Sequence, residues 1–177
     1  MAHARAGREA HLILKMNALT DTHIIEKLYD ASREGVRIDL IVRGACCLRP
    51  GVKGISDTIR VVSIVGRYLE HSRVYYARNN GAHDLFLSSA DLMGRNLDRR
   101  VELMFPIDDP ALAQQIKTEV LDATLLSDLH AWMLHPDGTY ALLAGDNRNE
   151  VRDIQQMIMR SRMQTGRQGR HLPRDGH

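Results

Sequence analysis

Two short apolar runs flank one amphipathic segment near the start of the chain. HLILKMN (residues 11–17) predicts a buried strand with a polar exit. The next segment has apolar residues at helical spacing, begins after Thr20 or Asp21 and ends at Gly35, so it predicts a capped helix. VRIDLIVRG (residues 36–44) predicts a second strand. Strand, helix and strand within about thirty residues predict a βαβ unit with two parallel strands.

The rest of the chain carries the same kinds of signal. Asn79-Asn80-Gly81 predicts a tight turn between two strands, and Pro110 predicts the first turn of a helix. The further predicted elements are a loop at 45–59, a third strand IRVVSIV, a hairpin of RVYYA and DLFLSS, and a strand RRVELMFPI that Pro106 ends. They continue with a helix from Asp108 or Asp109 to about Asp128 and a second hairpin or an extended segment in WMLHPDGTYALL.

These elements predict an α/β fold in which helices flank a mixed β-sheet. The length of 177 residues suits one domain with a sizeable core. We expect that domain over residues 1–145, a C-terminal helix over residues 146–163 and a disordered basic tail over residues 164–177.

Composition limits the kinds of partner that the protein can have. Hydrophobic residues make up 44% and charged residues 26%, which is typical of a globular protein, and the net charge is only +2. Residues 160–177 hold five of the arginines and a single acidic residue, so the remainder carries a slight negative charge. We therefore expect no general binding of nucleic acid, and any site for an anion must be local.

Three further features bear on location and metal binding. The chain has no apolar run near the ~20 residues that span a bilayer, and its first residues do not resemble a signal peptide. The only cysteines, Cys46 and Cys47, are adjacent, and adjacent cysteines rarely form a structural disulfide, which fits a reducing compartment. We therefore expect a cytoplasmic protein without a membrane span. No histidine or cysteine lies at metal-ligand spacing, so we expect no metal ligands in this chain.

His71 is the strongest candidate for a catalytic residue. It lies two residues before Arg73, and a strand that ends in Ser88-Ser89 follows within the reach of one hairpin. An imidazole can attack or protonate a phosphate, a basic side chain neutralises its charge, and a hydroxyl donates a hydrogen bond to it. The pattern indicates phosphoryl chemistry, although a structural histidine is the commoner role for any one of nine in a chain.

Polar residues also follow the first two predicted strands at the points where they end. Lys15, Asn17 and Arg43 lie at the carboxyl ends of these strands, where α/β sheets bind ligands. An arginine before Gly44 can place its guanidinium fork on phosphate oxygens beside backbone N–H groups. The same spacing also fits a solvated arginine at the rim of the sheet.

Four short motifs resemble the signature of the phospholipase D superfamily, which runs H-x-K, then G-S-x-N, then R-S-L and a glutamate. The corresponding segments are His71-Ser72-Arg73, Ser88-Ser89-Ala90-Asp91, Arg95-Asn96-Leu97 and Glu102. Arg73 replaces the lysine, Ser88 the glycine and Asp91 the asparagine, and the aspartate that follows H-x-K is absent. These departures argue against a simple phosphodiesterase.

Three longer segments resemble one branch of that superfamily more closely. They are KMNALTD, IDLIVRGACCLRPGVKGISDTIRVVSIVGRYLEHSR and LFLSSADLMGRNLDRRVELMFPI. Over roughly residues 3–145 the chain is similar to the C-terminal, second phospholipase-D-like catalytic domain of bacterial polyphosphate kinases. The resemblance implies a phospholipase-D-like mixed sheet flanked by helices.

The resemblance also implies an activity and a site. The whole enzyme transfers the terminal phosphate of ATP reversibly to inorganic polyphosphate through a phosphohistidine, with Mg²⁺, and works as an oligomer. The phosphohistidine and the magnesium ligands belong to a domain outside this chain, so the chain alone is expected to be inactive. His71 is the paired histidine, and Arg43, His71 and Arg73 are expected to contact the phosphates of ATP or ADP. Lys15, Asn17 and Ser89 are further candidates for those contacts.

Two other functions remain open at this point. The chain can be a non-catalytic module that binds polyphosphate or nucleotide, with His71 incidental. It can also be a phosphodiesterase that dimerises to bring two copies of His71 together, as single-motif relatives of phospholipase D do.

Overall fold

The computed structural model describes residues 1–126, 130–143 and 153–168 and orders them around one sheet. The strands are β1 (Ala10–Met16), β2 (Arg37–Val42), β3 (Ile59–Ile64), β4 (Val74–Asn79), β5 (Ala82–Ser88), β6 (Met104–Pro106), β7 (Ala131–Leu134) and β8 (Tyr140–Leu142). The helices are α1 (Ala2–Arg5), α2 (Thr22–Arg33), α3 (Gly94–Leu97), α4 (Pro110–Ile116), α5 (Ala123–Leu125) and α6 (Ile154–Gln168), with a π-helical segment (Lys117–Asp122) between α4 and α5. The strand order is β6-β5-β4-β1-β2-β3-β7-β8.

The βαβ unit predicted at the start of the chain is confirmed. Strands β1 and β2 are parallel neighbours, and β3 extends the parallel part of the sheet. The carboxylate of Asp21, and not Thr20, caps α2 by accepting a hydrogen bond from the backbone N–H of Ile24 at 2.9 Å. Gly35 takes a φ of +81° directly after the helix, which is a conformation that glycine adopts without a steric penalty.

Helices cover both faces of the parallel strands. On one face, α2 packs its apolar stripe against side chains of β2 and β3, and Ile38, Leu40, Val42 and Val61 are fully buried there. On the other face, Ile13 and Ile41 pack under α4 and the π-helical segment. Burial of each such side chain stabilises the fold by roughly 1.5–3 kcal/mol. The mixed sheet flanked by helices is the predicted fold class.

Both predicted hairpins are confirmed. Strands β4 and β5 pair antiparallel through a turn in which Asn80 has a φ of +50° and Gly81 a φ of +95°. Positive φ at both central residues suits the twist of a hairpin and explains the strength of the Asn-Gly signal. Strands β7 and β8 form the second hairpin, where Asp137 accepts a hydrogen bond from the N–H of Thr139 at 2.9 Å.

Two predicted elements differ in extent. RRVELMFPI forms only the three-residue strand β6, and the residues before it bind side chains instead, Glu102 that of Asn96 and Leu103 that of Ser89. The helix expected from Asp109 does begin there, with the Asp109 carboxylate as its cap. It changes to a π-helix after Ile116, a feature that hydrophobic spacing does not reveal. Residues 127–129, near its predicted end, lie outside the described residues.

The C-terminal helix also differs from the prediction for residues 146–163. It is α6, Ile154–Gln168, so residues 164–168, which were expected in the disordered tail, are helical. Most of the predicted N-terminal part of that helix, residues 144–152, lies outside the described residues, as do residues 169–177 of the expected tail. Ile154 is buried against Val62, Ile64 and Ala131, which attaches α6 to the sheet. None of the helices described is both long enough and apolar enough to cross a membrane.

Candidate active site

His71 lies in the segment that joins β3 to β4. Strand β4 runs antiparallel to β1, and Val74 pairs with Lys15, so the amino end of β4 is beside the carboxyl end of β1. This topology brings the His71 segment to the sheet edge where the parallel strands end. The His71 side chain is exposed, and none of the described residues hydrogen-bonds its imidazole ring. The ring is therefore available to a ligand.

Arg73 fixes the chain directly after His71 through an ion pair with Asp91. Its Nε and Nη2 donate to the two carboxylate oxygens of Asp91, each at 3.0 Å, and its Nη1 donates to the backbone carbonyl of His71 at 3.1 Å. Three of the five guanidinium N–H groups are thus used. The Arg73 side chain is 19% exposed and that of Asp91 7%. Two N–H groups remain for a phosphate, at a position that the ion pair holds.

Asp91 also joins this segment to the end of β1. Its Oδ1 accepts a hydrogen bond from the backbone N–H of Asn17 at 2.7 Å. Burial alone raises the pKa of Asp91, but the hydrogen bonds from Arg73 and from the Asn17 N–H outweigh it, so the pKa lies below its usual range. The carboxylate is therefore charged at neutral pH and stabilises both contacts.

Arg43 is held at the carboxyl end of β2 by its neighbours. Its Nε donates to Oδ1 of Asn17 at 3.0 Å, and Ser63 donates its hydroxyl to the Arg43 carbonyl at 3.0 Å. Gly44 N–H donates to the Asn17 carbonyl at 2.8 Å, and a Cβ at Gly44 would lie 3.1 Å from that oxygen, so a side chain would crowd this approach. Nδ2 of Asn17 is buried and has no hydrogen-bond partner among the described residues. The two terminal nitrogens of the Arg43 guanidinium form no hydrogen bond with any of the described residues.

Lys15 forms an ion pair with Glu70, the residue that precedes His71. Its ammonium lies 2.8 Å from Oε2 of Glu70, and its side chain is only 7% exposed. Burial would raise the pKa of Glu70, but the hydrogen bond and the charge of Lys15 lower it below its usual range. Lys15 therefore neutralises the residue next to His71.

Ser89 belongs to a second group of signature residues near His71. Its hydroxyl donates to Glu102 Oε2 and accepts from the N–H of Leu103 at 2.9 Å, while Asn96 Nδ2 donates to Glu102 Oε1 at 2.6 Å. The hydrogen bonds from Ser89 and Asn96 lower the pKa of Glu102. The hydroxyl of Ser89 is thus already bonded on both sides.

Two clefts open beside these residues. A cleft of about 340 Å³ is lined by His71, Ser72, Arg73, Leu87, Ser88, Ser89, Leu103 and Phe105. A second cleft of about 360 Å³ is lined by Arg43, Gly44, Ser63, Val65, Trp132 and Tyr140. His71 and Arg43 therefore border different depressions of the same sheet edge. Among the described residues, no three His, Cys, Asp or Glu side chains are grouped so that they could hold a metal ion.

All six candidate residues from the sequence lie along this edge of the sheet. Hydrogen bonds and ion pairs connect them. Asn17 joins Arg43 to Asp91, Arg73 joins Asp91 to His71, Lys15 binds the neighbour of His71, and Ser89 lines its cleft. The sequence pattern did not reveal that Glu70 pairs with Lys15, or that Gln155 donates its Nε2 to Oε1 of Glu70 at 2.9 Å. The Arg73–Asp91 pair had a signal in the sequence, because two signature positions carry opposite charges where the signature has lysine and asparagine.

Known proteins match the chain closely. The family model described as "Polyphosphate kinase C-terminal domain 2" matches residues 1–155. The polyphosphate kinase of Thermosynechococcus vestitus is 58% identical over 138 residues, which cover 78% of this chain and 19% of that protein. Polyphosphate kinase 1 of Chlorobaculum tepidum is 51% identical over 146 residues, 82% of this chain and 21% of that protein.

A solved structure is similar as well. The crystal structure of polyphosphate kinase from Porphyromonas gingivalis superposes with a TM-score of 0.88 at 36% sequence identity, over 94% of this chain and 25% of that one. The chain spans about a fifth of the length of the curated relatives it matches.

Proposed function

The chain belongs to the polyphosphate kinase family, as its C-terminal domain 2, and we propose that it forms one wall of a phosphoryl-transfer site in such an enzyme. The reaction is the reversible transfer of the terminal phosphate of ATP to inorganic polyphosphate. The partners are ATP, ADP, polyphosphate and the remaining domains of a kinase that assembles as an oligomer. The two free thiols, Cys46 and Cys47, support a cytoplasmic location.

The observation that carries this proposal is the state of His71. Its ring is exposed in a cleft, while its backbone carbonyl is tied to Arg73 and through it to Asp91. The backbone around His71 is thus fixed, whereas its imidazole ring is free to contact a ligand. This combination suits a catalytic group that must be presented to the phosphate in one orientation. Arg43 and Arg73 bring positive charge to the same sheet edge.

In the proposed step, a histidine of another domain attacks the terminal phosphorus of ATP. A nitrogen–phosphorus bond forms, the bond to the bridging oxygen breaks, and ADP leaves with that oxygen. His71 faces the same phosphate from this domain and assists by holding a proton at a phosphate oxygen. Arg43 and Arg73 stabilise the charge that develops on the phosphate oxygens. A terminal oxygen of polyphosphate then attacks the same phosphorus, the nitrogen–phosphorus bond breaks, and the histidine of the other domain is regenerated.

The other three candidate residues contact the groups that surround the proposed site. Asn17 orients the guanidinium of Arg43 by accepting a hydrogen bond from its Nε. Lys15 and Ser89 are already bonded to Glu70 and Glu102, so we assign them to the framework and to the rim of the cleft. The family resemblance implies a magnesium ion whose ligands belong to another domain, and we assign no residue of this chain to it.

A chimaera tests the proposal. This chain replaces the C-terminal domain of the Thermosynechococcus vestitus kinase, and polyphosphate formation from ATP is measured for His71→Ala and for His23→Ala, an exposed histidine of α2. We expect His71→Ala to lower kcat by about a hundredfold or more, with ATP binding retained, and His23→Ala to have no effect. Unchanged turnover in His71→Ala would favour the non-catalytic binding module.

The isolated chain separates the kinase from the phosphodiesterase. We expect it to release no nitrophenol from bis(4-nitrophenyl) phosphate, because the signature lysine and asparagine are replaced by Arg73 and Asp91, which bind each other. Hydrolysis that His71→Ala abolishes would instead support a dimeric phosphodiesterase.

A further inference from the structure

Gln155, near the start of α6, is bonded to the segment that carries His71 at three points. Its Nε2 donates to the Tyr68 carbonyl at 2.8 Å and to Oε1 of Glu70 at 2.9 Å, and its Oε1 accepts from the Tyr68 N–H at 2.8 Å. The side-chain amide therefore satisfies both backbone groups of Tyr68. Gln155 is only 8% exposed. A buried amide with all these bonds has a single well-defined orientation.

The His71 segment has few other attachments. Among the described residues, the backbone groups from Gly66 to Ser72 form hydrogen bonds only at Tyr68, with Gln155, and at His71, with Arg73. A cavity of about 420 Å³ opens between the segment, Val120 and Ile158, and the Tyr68 hydroxyl donates a hydrogen bond to Sδ of Met159 on α6 at 3.2 Å. Polar contacts therefore hold the segment in place.

Gly66 shows how closely Gln155 approaches this segment. A Cβ on Gly66 would lie 2.5 Å from Oε1 and 2.8 Å from Cδ of Gln155, well inside contact distance. Any side chain at this position would displace the amide. The glycine and the glutamine therefore form one unit, which a variant at either position would break.

We propose that Gln155 is a positioning residue for His71. It holds the segment before His71, through Tyr68 and Glu70, as the Arg73–Asp91 pair holds the segment after it. Glu70 links this anchor to β1, because its second oxygen binds Lys15. The effect on catalysis rests on the proposed function, whereas the effect on the segment does not.

The first experiment measures amide hydrogen exchange in the isolated chain. Gln155→Ala removes three hydrogen bonds, so we expect the Tyr68 amide to exchange at least about tenfold faster while amides of β1–β3 stay protected. Gln156→Ala is the matched control, because Gln156 is the exposed neighbour on α6 and contacts no part of the segment. Unchanged protection of Tyr68 in Gln155→Ala would overturn the proposal.

A second variant gives an independent check. Gly66→Ala should release the segment as Gln155→Ala does, because the new methyl group expels the amide. In a chain that already carries Gln155→Ala, Gly66→Ala should cause little further increase in the exchange rate of the Tyr68 amide, because the Gln155 side chain that the new methyl group would meet is absent. Equal effects in both backgrounds would show that the approach of Gln155 to Gly66 does not hold the segment.

Kinetics of the chimaera then test the consequence for His71. We expect Gln155→Ala to lower kcat by about tenfold or more with the KM for ATP changed by less than about twofold, because binding needs Arg43 whereas the step needs an oriented His71. With His71→Ala present, Gln155→Ala should cause no further loss. A kcat that is unchanged, or losses that multiply, would overturn the positioning role. A chimaera whose turnover does not depend on His71, together with the expected hydrogen exchange, would refute the proposed function and leave the anchor intact.

Discussion

Arg73 and Asp91 form a bidentate ion pair, with Nε and Nη2 each 3.0 Å from one carboxylate oxygen. Both residues depart from the phospholipase D signature, which has lysine and asparagine at these positions. The two departures bind each other, so together they form one structural unit. They keep a cation beside the histidine and attach its segment to the end of β1 through the N–H of Asn17.

The pair predicts coupled effects on stability. Arg73→Lys loses the fork and Asp91→Asn leaves a guanidinium without its carboxylate, so we expect each to lower the free energy of unfolding by about 1–3 kcal/mol. The double variant restores a lysine–asparagine pair, and its cost should be at least about 1 kcal/mol smaller than the sum. Urea unfolding of the four proteins measures this coupling.

The control for this cycle is the pair Asp98→Asn and Arg99→Lys. These residues are exposed and form no ion pair within the described part of the chain, so their small effects should add. Additive costs for Arg73 and Asp91 as well would show that the ion pair contributes nothing specific.

Arg43 predicts a defect in substrate use. In the chimaera we expect Arg43→Gln to lower kcat/KM for ATP by about a hundredfold, because a guanidinium at a phosphate contributes both charge and two directed hydrogen bonds. Asn17→Ala should cost less, about three- to tenfold, since it frees the Nε of Arg43 without removing the charge. Arg33→Gln, on the exposed side of α2, is the control, and an equal loss there would contradict a local role for Arg43.

Asp39 predicts a loss of stability in acid. Its carboxylate accepts hydrogen bonds from His11 at 2.8 Å, Arg37 at 3.1 Å and Arg60 at 2.7 Å. Burial raises its pKa, but the hydrogen bond from His11 and the charges of Arg60 and Arg37 outweigh burial and lower the pKa to about 2. A folded pKa below the unfolded value of about 3.9 means stability that is present above about pH 4 and lost as the pH falls towards 2.

The size of that loss is about 2 kcal/mol, from the difference between the two pKa values. Urea unfolding between pH 5 and pH 2 measures it, and Asp39→Asn should reduce the acid-induced loss by about 2 kcal/mol while lowering stability at pH 7. Asp30→Asn, in an exposed pair on α2, should leave the pH dependence unchanged. If the free energy of unfolding depends on pH in the same way in Asp39→Asn, the acid sensitivity belongs to other carboxylates.

The two cysteines predict unequal reactivity. Burial raises the pKa of Cys46 to about 11, whereas Cys47 is exposed. The thiolate is the reactive form, so at pH 8 only about 0.1% of Cys46 can react at any moment. We expect Cys46→Ser to react rapidly with a disulfide reagent through Cys47 and Cys47→Ser to react slowly, followed by absorbance. Similar rates would contradict the burial of Cys46.

Several features of the site had no counterpart in the sequence pattern. Lys15 and Ser89 were candidates for phosphate contacts, and the structure shows the Lys15 ammonium against Glu70 and the Ser89 hydroxyl bonded to Glu102. The sequence pattern places both residues at the edge of the sheet. It does not specify which neighbouring group each polar side chain binds. The contacts of Arg43 and His71 with ATP stay predictions that the chimaera tests.

The sequence alone determined the elements whose causes are local. The Asp21 cap, Gly35 after α2 and the Asn80-Gly81 turn each depend on a few neighbouring residues and their allowed dihedral angles, so they could be predicted in place. Tertiary structure decided which distant groups meet at His71. Gln155 reaches Tyr68 across 87 residues of sequence, and Asp91 reaches Asn17 across 74, through packing of the sheet and α6. Such contacts depend on the whole arrangement of strands and helices, because hydrophobic burial fixes the relative positions and polar side chains then bind the groups that lie within reach.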